Sequence, residues 1–324
     1  MLSAMICQEI SIEKIDCTNG MFRISEEIVS APLRMSMRVI GQLNPVLLSG
    51  GESPYTIVCG FRRMHALRQL GASRVLARIM EGNDRDLLGA FNMAVWDNLS
   101  HRKFDPLEKA RVLYKLRDDF DVPDEVIMKD YLPVMDLAPH EQVLRNYFML
   151  AKSHQGSKNH FKAGRLTLSS MEYLAEMPVS SQASIASVFD NIQLSAGLQK
   201  KFFALLEDLA AKHGNDPEVP LNDNEALSIL NDAGLSPFQR GEKVFALLYR
   251  RRYPGLTQAE ERFFERRKSL RLPGSIRITP APYFEVPDLR VEFRAPDAER
   301  FREMASELFE ASRTPEFESL FKVF

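Results

Sequence analysis

The chain is poor in cysteine, has one tryptophan and contains no long apolar run. Its three cysteines, Cys7, Cys17 and Cys59, cannot all pair, and their spacing matches no metal site. A disulfide framework is excluded, and a reducing cytoplasm is the expected compartment. No apolar stretch approaches the ~18 residues that a membrane-spanning helix needs, so no membrane partner is expected. The opening residues lack a basic cluster, and Glu9 and Glu13 follow soon after, which argues against a secretory leader. Internal repeats, low-complexity tracts and sustained heptads are missing, which removes solenoids, disordered arrays and coiled coils. What remains is a chain of 324 residues, 45% hydrophobic and 27% charged, long enough for two or three globular domains.

The net charge of −2 hides an uneven distribution. Residues 142–171 hold Arg145, Lys152, Lys158, Lys162 and Arg165 and no acid. Residues 166–234 are acidic, and residues 235–277 are basic again. Two basic blocks around an acidic one suit surfaces that face polyanions or acidic partners; the plainer alternative is solvated helix faces.

Local patterns order the chain. Residues 8–17 alternate as an edge strand does. A short helix at Pro32–Val39 stops at Gly41, and Asn44–Ser49 reads as a strand. Gly50-Gly51-Glu52 should turn that strand into Tyr55–Val58. A helix from Phe61 to Leu70 ends at Gly71, followed by a strand at Arg74–Met80. Asp84 is expected to cap a helix reaching Asn98, with Trp96 in the core. Asp105-Pro106-Leu107-Glu108 combines a cap, a first-turn proline and a third-position carboxylate, so a helix should run to Asp118. Pro139 suits the first position of an amphipathic helix that carries Gln142, Arg145 and Asn146 outward. With a short helix at Pro133–Leu137 it would form a helix-turn-helix. Helices fill 166–250, Leu194–Lys212 being the longest, and Asn215–Asn224 forms a loop. Arg250–Gly255 reads as a boundary. Thr257-Gln-Ala-Glu260 then resembles a capping box opening a helix with Phe263 and Phe264 in its buried stripe. Strands at Ser275–Thr279 and Leu289–Arg294 precede a last helix near Pro296–Phe309.

The segment with the most chemistry in it is Tyr55-Thr-Ile-Val-Cys-Gly60-Phe-Arg62-Arg63. A glycine between strand and helix lets backbone N–H groups approach an anion, and the helix N-terminus adds partial positive charge. Arg62 and Arg63 would add forked donors suited to phosphate; their alternative is an ion pair with Asp84 or Asp86. Asn98 reads as a phosphate or metal-shell ligand or as a helix C-cap. Cys59 precedes the glycine, a placement that disfavours redox catalysis.

The stretch from Gly41 to about Pro178 resembles the ParB/KorB family of DNA-partition and transcription-regulating proteins. The landmarks are Gly41-Gln-Leu-Asn-Pro45, the arginine box Gly60-Phe-Arg62-Arg63-Met-His65-Ala66, Asp97-Asn98-Leu-Ser100-His101 with Pro106-Leu-Glu108-Lys-Ala110, the helix-turn-helix, and Lys162-Ala-Gly-Arg-Leu-Thr-Leu168. The resemblance implies a cleft for CTP at Gly60, Arg62, Arg63 and Asn98, with Asp97 toward Mg²⁺. Phe61 replaces a carboxylate, His65 an arginine, and Ser100 and His101 a glutamine and an arginine. It also implies a homodimer on duplex DNA and a ParA-type ATPase partner. The family's terminal dimerisation domain has no counterpart visible beyond residue 190.

These readings combine into a helix-rich α+β chain. A ParB-like α/β nucleotide-binding domain is expected at 1–105 and a helical helix-turn-helix domain at 106–190. A helical connector would fill 191–254, and a small α+β domain 255–324. Gln142, Arg145, Asn146, Lys158, Lys162 and Arg165 are the expected DNA contacts. The expected function is DNA partition or transcription regulation in the cytoplasm, at the nucleoid, with CTP as a switch and at most slow CTPase activity. Two alternatives stand beside it: a nucleotide-dependent phosphotransferase or nuclease, and an adaptor that has lost nucleotide binding.

Overall fold

The computed structural model describes residues 7–25, 29–50, 53–80, 86–212, 214 and 216–322. The fold is α+β and rich in helix: a mixed five-stranded sheet comes first, many helices follow, and a two-stranded hairpin lies near the C-terminus. The chain divides into two compact units, residues 1–158 with 174–177, and residues 159–173 with 178–324. No helix among the described residues is long and apolar enough to cross a membrane.

In the first unit, strands β1 (Cys7–Ser11), β2 (Ile15–Asp16), β3 (Val46–Ser49), β4 (Tyr55–Cys59) and β5 (Arg74–Ile79) stand in the order β1-β5-β3-β4-β2. A 3-10 turn at Ile12–Lys14 splits the expected strand at 8–17, and its two pieces occupy opposite edges of the sheet. Pairing is antiparallel for β1/β5 and β3/β4 and parallel for β3/β5 and β2/β4. Val46 and Leu48 alternate inward, as a half-buried strand requires. They join Ile57, Met64, Leu67, Val75 and Ala77 in one core under α1 (Ala31–Val39) and α2 (Phe61–Gln69).

Helix α3 (Leu87–His101) is capped by Asp86, whose carboxylate accepts from the Gly89 N–H, and it runs past Asn98 to His101. Asp84, Gly51 and Glu52 lie outside the described residues. Trp96 is 53% exposed, against its expected place in the core; Ala90, Phe91, Ala94 and Val95 form the buried stripe instead. Helix α4 (Pro106–Asp118) carries a complete capping box: the Glu108 N–H donates to Asp105 Oδ1 (2.9 Å), and the Asp105 N–H donates to Glu108 Oε2 (3.1 Å).

α5 (Asp124–Val126) continues as a π-turn to Tyr131 and then a 3-10 turn at Pro133–Met135. Asp136 takes φ +57° before α6 (Glu141–Lys152). His140 is the N-cap, so Pro139 precedes α6 rather than opening it. The short helix expected at 133–137 is the 3-10 turn at Pro133–Met135, and the helix that packs on α6 is α4.

Helices α7 (Gln155–Lys162) and α8 (Leu168–Ala175) follow. The second unit contains α9 (Val179–Asn191), α10 (Ala196–Ala210), α11 (Asn224–Leu230), α12 (Pro237–Arg252) and α13 (Pro254–Ser269). Its Phe189, Phe202 and Phe203 stack edge and face in a buried cluster. α12 and α13, 16 residues each, are longer than α10. Within the expected loop, Val219–Leu221 forms a 3-10 turn with Pro220 and Leu221 buried. Thr257 lies inside α13, whose N-cap is Tyr253 with Pro254 at the first position, so no capping box forms there. A proline that can begin a helix outcompetes a downstream threonine. In α13 Phe263 is fully buried and Phe264 is 58% exposed. Strands β6 (Arg277–Pro280) and β7 (Leu289–Glu292) pair antiparallel, followed by α14 (Ala298–Ser312) and α15 (Pro315–Leu320).

Candidate functional site

β4 ends at Cys59, and Gly60 turns the chain with φ +98° into α2. A Cβ at Gly60 would stand 2.9 Å from Val46 Cγ1, so the turn needs glycine for space as well as for conformation. The first helical bond runs from the Met64 N–H to Gly60 O (2.9 Å). The N–H groups of Phe61, Arg62 and Arg63 therefore have no acceptor within the helix. α1, α3 and α4 satisfy such groups with Ser30, Asp86 and Asp105, whereas α2 has no side-chain cap and no acid in its first turn.

This uncapped end faces a cleft of about 280 Å³. The cleft gathers Gly60, Arg62, Arg63, Asp97 and Asn98, every nucleotide- and metal-site residue expected from the sequence. Arg62 is exposed and forms no ion pair with a described residue. Arg63 is half-buried, and its guanidinium donates to the carbonyls of Asn44 (3.0 Å) and Pro45 (2.6 Å). That fork braces the loop into β3 and leaves Arg62 as the more available cation. Arg23, which the sequence reading missed, adds a third guanidinium, 5.2 Å from the centre of the Phe61 ring. Arg23 and Phe61 are 38 residues apart in the chain and meet only through the fold, so no local pattern points to the pair.

Asp97, Asn98 and His101 reach the cleft from the C-terminal half of α3. His101 Nε2 lies 4.0 Å from Asp97 Oδ1. Asn98 donates to Ala94 O (2.9 Å) and accepts from Arg102 (3.3 Å), so it is neither a helix C-cap nor an unengaged ligand. Arg102 holds both oxygens of Glu108, at 2.5 and 2.9 Å, and also donates to Ser25 Oγ (2.6 Å). Ser25 Oγ donates in turn to Glu108 Oε1 (2.5 Å). Glu108 is buried, and burial alone would raise its pKa. The Arg102 and Ser25 hydrogen bonds and the Asp105 N–H outweigh that effect and hold it below the ordinary value. Ser25 and Arg102 escaped the sequence reading, although Arg102 directly follows the Asp97–His101 box.

Burial, then the nearby Asp97 carboxylate, push the Cys59 thiol up to about 12, against a smaller opposing effect of Arg63. A thiol held neutral is a poor nucleophile, in keeping with a structural cysteine. Among the described residues no group of three His, Cys, Asp or Glu side chains could hold a metal ion. Asp97 is a single carboxylate, and the Asn98 oxygen is already engaged. These residues fit Mg²⁺ only as a cation whose remaining oxygen ligands come from phosphate and water.

On α6, Gln142 and Arg145 are exposed and Asn146 is half-buried, opposite the buried Leu144, Tyr147 and Phe148. Gln142 Nε2 donates to Asn146 Oδ1 (2.7 Å), so the two amides present one polar surface. Lys158 turns its ammonium to Ala151 O (2.6 Å). Lys162 and Arg165 are exposed on the second unit, where Arg165 donates to Phe189 O (3.4 Å). The second basic block is partly neutralised within its own unit. Arg250 pairs with Glu225, Arg251 with Asp223 (2.5 Å) and Glu225 (3.3 Å), and Arg252 with Asp208 (2.7 Å).

The first unit thus holds a mixed sheet that leads into an uncapped, arginine-fronted helix, followed by further helices. Residues 2–99 match the family model described as the ParB N-terminal domain. A probable chromosome-partitioning protein ParB from Vibrio cholerae is 24% identical over 228 residues, covering 61% of this chain and 76% of that protein. Two solved structures of the C-terminally truncated chromosome-partitioning protein ParB from Caulobacter crescentus are also similar. The form complexed to the centromeric parS site has a TM-score of 0.32 and 19% identity, covering 56% of this chain and 91% of that one. The form complexed with CTP-gamma-S has a TM-score of 0.24 and 21% identity, covering 57% and 98%. The N-terminal domain of this chain belongs to the ParB N-terminal domain family, and the chain is a distant homologue of chromosome-partitioning ParB proteins.

Proposed function

We propose that this chain is a ParB-like DNA-binding protein of partition or transcription regulation, and that its N-terminal cleft holds a nucleotide, CTP in the first instance, as a switch. The observation that carries the reading is the uncapped start of α2 at Gly60, with Arg62 and Arg23 at the same cleft. Three N–H donors, a helix dipole and two guanidinium groups make a site for a polyphosphate. Arg63 braces the loop beneath it, and Asp97 is the carboxylate toward a phosphate-bound Mg²⁺. Asn98 links the cleft to α4 through Arg102 and Glu108, and α4 packs on α6. Nucleotide occupancy can thereby reach the helix that carries Gln142, Arg145 and Asn146.

Those three side chains would touch bases or phosphates, and Lys158, Lys162 and Arg165 would add backbone contacts. Two-fold reading of a duplex makes a homodimer the expected assembly, with a ParA-type ATPase as a further partner. The cytoplasm, at the nucleoid, follows from that role. One carboxylate at the cleft supports slow CTPase activity at most.

The adaptor reading has one observation in its favour: Arg63 and Asn98 already spend hydrogen bonds inside the protein. Anisotropy titrations of duplex DNA with and without CTP and Mg²⁺ separate the two. The switch reading expects DNA affinity that falls steeply with salt and changes when CTP is added. DNA binding indifferent to CTP favours the adaptor, and no DNA binding at low salt refutes both.

A further inference from the structure

Helix α1 is built inside out. Its buried contact is Met37, with Leu33 packed beside the core, while Met35 is 60% exposed, Val39 73% and the following Ile40 62%. Leu43, two residues past the turn at Gly41, is 70% exposed. Side chains four apart are neighbours on a helix surface, so Met35 and Val39 form one apolar strip. Arg34 and Arg38, also four apart, run along its flank, and neither is ion-paired to a described residue.

This exposure belongs to a firmly held segment. Ser30 Oγ accepts from the Leu33 N–H (3.3 Å) at one end of α1, and the Ile40 N–H reaches Ser36 O (2.8 Å) at the other. Beyond the helix, Gln42 locks the loop to β5: its amide donates to Leu76 O (2.8 Å) and accepts from the Leu76 N–H (2.8 Å). Leu43 is thus presented outward by a fixed backbone. Clustered apolar side chains on a rigid exposed element mark an interaction site.

We propose that the outer face of α1, continued by Ile40 and Leu43, docks an amphipathic peptide segment of a partner protein that carries carboxylates beside its apolar side chains. Residues 30–44 contain Arg34 and Arg38 and no acid, so the complementary charge is negative. A second copy of the same face fits poorly, because a two-fold contact sets the arginines of one copy against those of the other. An anionic membrane fits poorly as well, since polybasic lipid-binding segments use about four to eight cations. This site is separate from the nucleotide cleft and does not depend on it.

The test is selection of phage-displayed random peptides on the full chain, with M35S/V39S as the counter-target. Enriched peptides are expected to place Leu, Ile or Phe at helical spacing among Asp and Glu. Synthetic copies should slow hydrogen exchange across residues 31–43 and bind M35S/V39S and R34E/R38E at least about tenfold more weakly. L43S, outside the helix, should weaken binding too, and guards against a result caused by disturbance of α1. No enrichment above blank beads overturns the proposal, as does equal binding to all three variants or protection elsewhere. Self-association, or sedimentation with phosphatidylglycerol vesicles, that is lost in M35S/V39S would also overturn it, in favour of a second copy or a lipid surface.

Discussion

At Gly60 the backbone is left-handed and Val46 leaves no room for a methyl group. Gly60→Ala should lower the stability of the first unit by about 1–3 kcal/mol and abolish nucleotide binding; thermal melting and a CTP titration check both. Glu108 has a pKa lowered by folding, so folding favours its ionised form. Its contribution is fully present above the unfolded value, about 4.3, and fades as pH falls through the lower folded value. Glu108→Gln should therefore flatten the acid limb of a stability profile below about pH 4.3. At neutral pH it should cost about 3 kcal/mol, because Arg102 loses its charged partner. An acid limb unchanged in the variant would show that other carboxylates set it. Cys59 should resist iodoacetamide at pH 8 in the folded protein, while exposed Cys7 reacts; mass spectrometry of the alkylated chain reports both.

Among the elements, those with local signals were legible in advance. Asp105, Pro106 and Glu108 stand within four residues of each other, and α4 starts and stops where they and the helical periodicity place it. Gly60 and Gly71 bracket α2 because glycine takes a positive φ without the steric cost that a side chain adds. Elements decided by distant contacts were harder to read. Trp96 sits on a strongly apolar helix, and only the position of the sheet determines which side of α3 is buried. Thr257 looked like a cap, yet Pro254, three residues earlier, had already begun α13. Within the cleft, residues of the two sequence boxes were legible, whereas Arg23 and Ser25 come from a loop with no pattern of its own. Two substitutions probe the elements. Asp105→Ala should cost about 1 kcal/mol or more, read as a lower melting temperature, through loss of the α4 cap. Arg145→Ala, on the exposed face of α6, should weaken DNA binding, and if Arg145 contacts phosphate it should reduce the salt slope by about one. Unaltered affinity would move the DNA face off α6.

For the whole molecule, the ordinary total charge conceals a division of labour. The basic residues Arg250, Arg251 and Arg252 are committed to acids of their own unit, whereas residues 142–171 contain no acid at all. A homodimer predicts a light-scattering mass near twice 37.0 kDa, and a mass near the single value would contradict two-fold DNA reading. The central claim is that the open start of α2 grips nucleotide phosphates. Isothermal titration calorimetry of CTP with Mg²⁺ into the full chain, its Arg62→Ala variant and its Arg23→Ala variant tests it most directly. The account predicts saturable binding to the unaltered chain and at least about tenfold weaker binding to each variant, with melting temperatures unchanged. Equal affinity in all three folded proteins, or no binding to the unaltered chain at millimolar CTP, would contradict it.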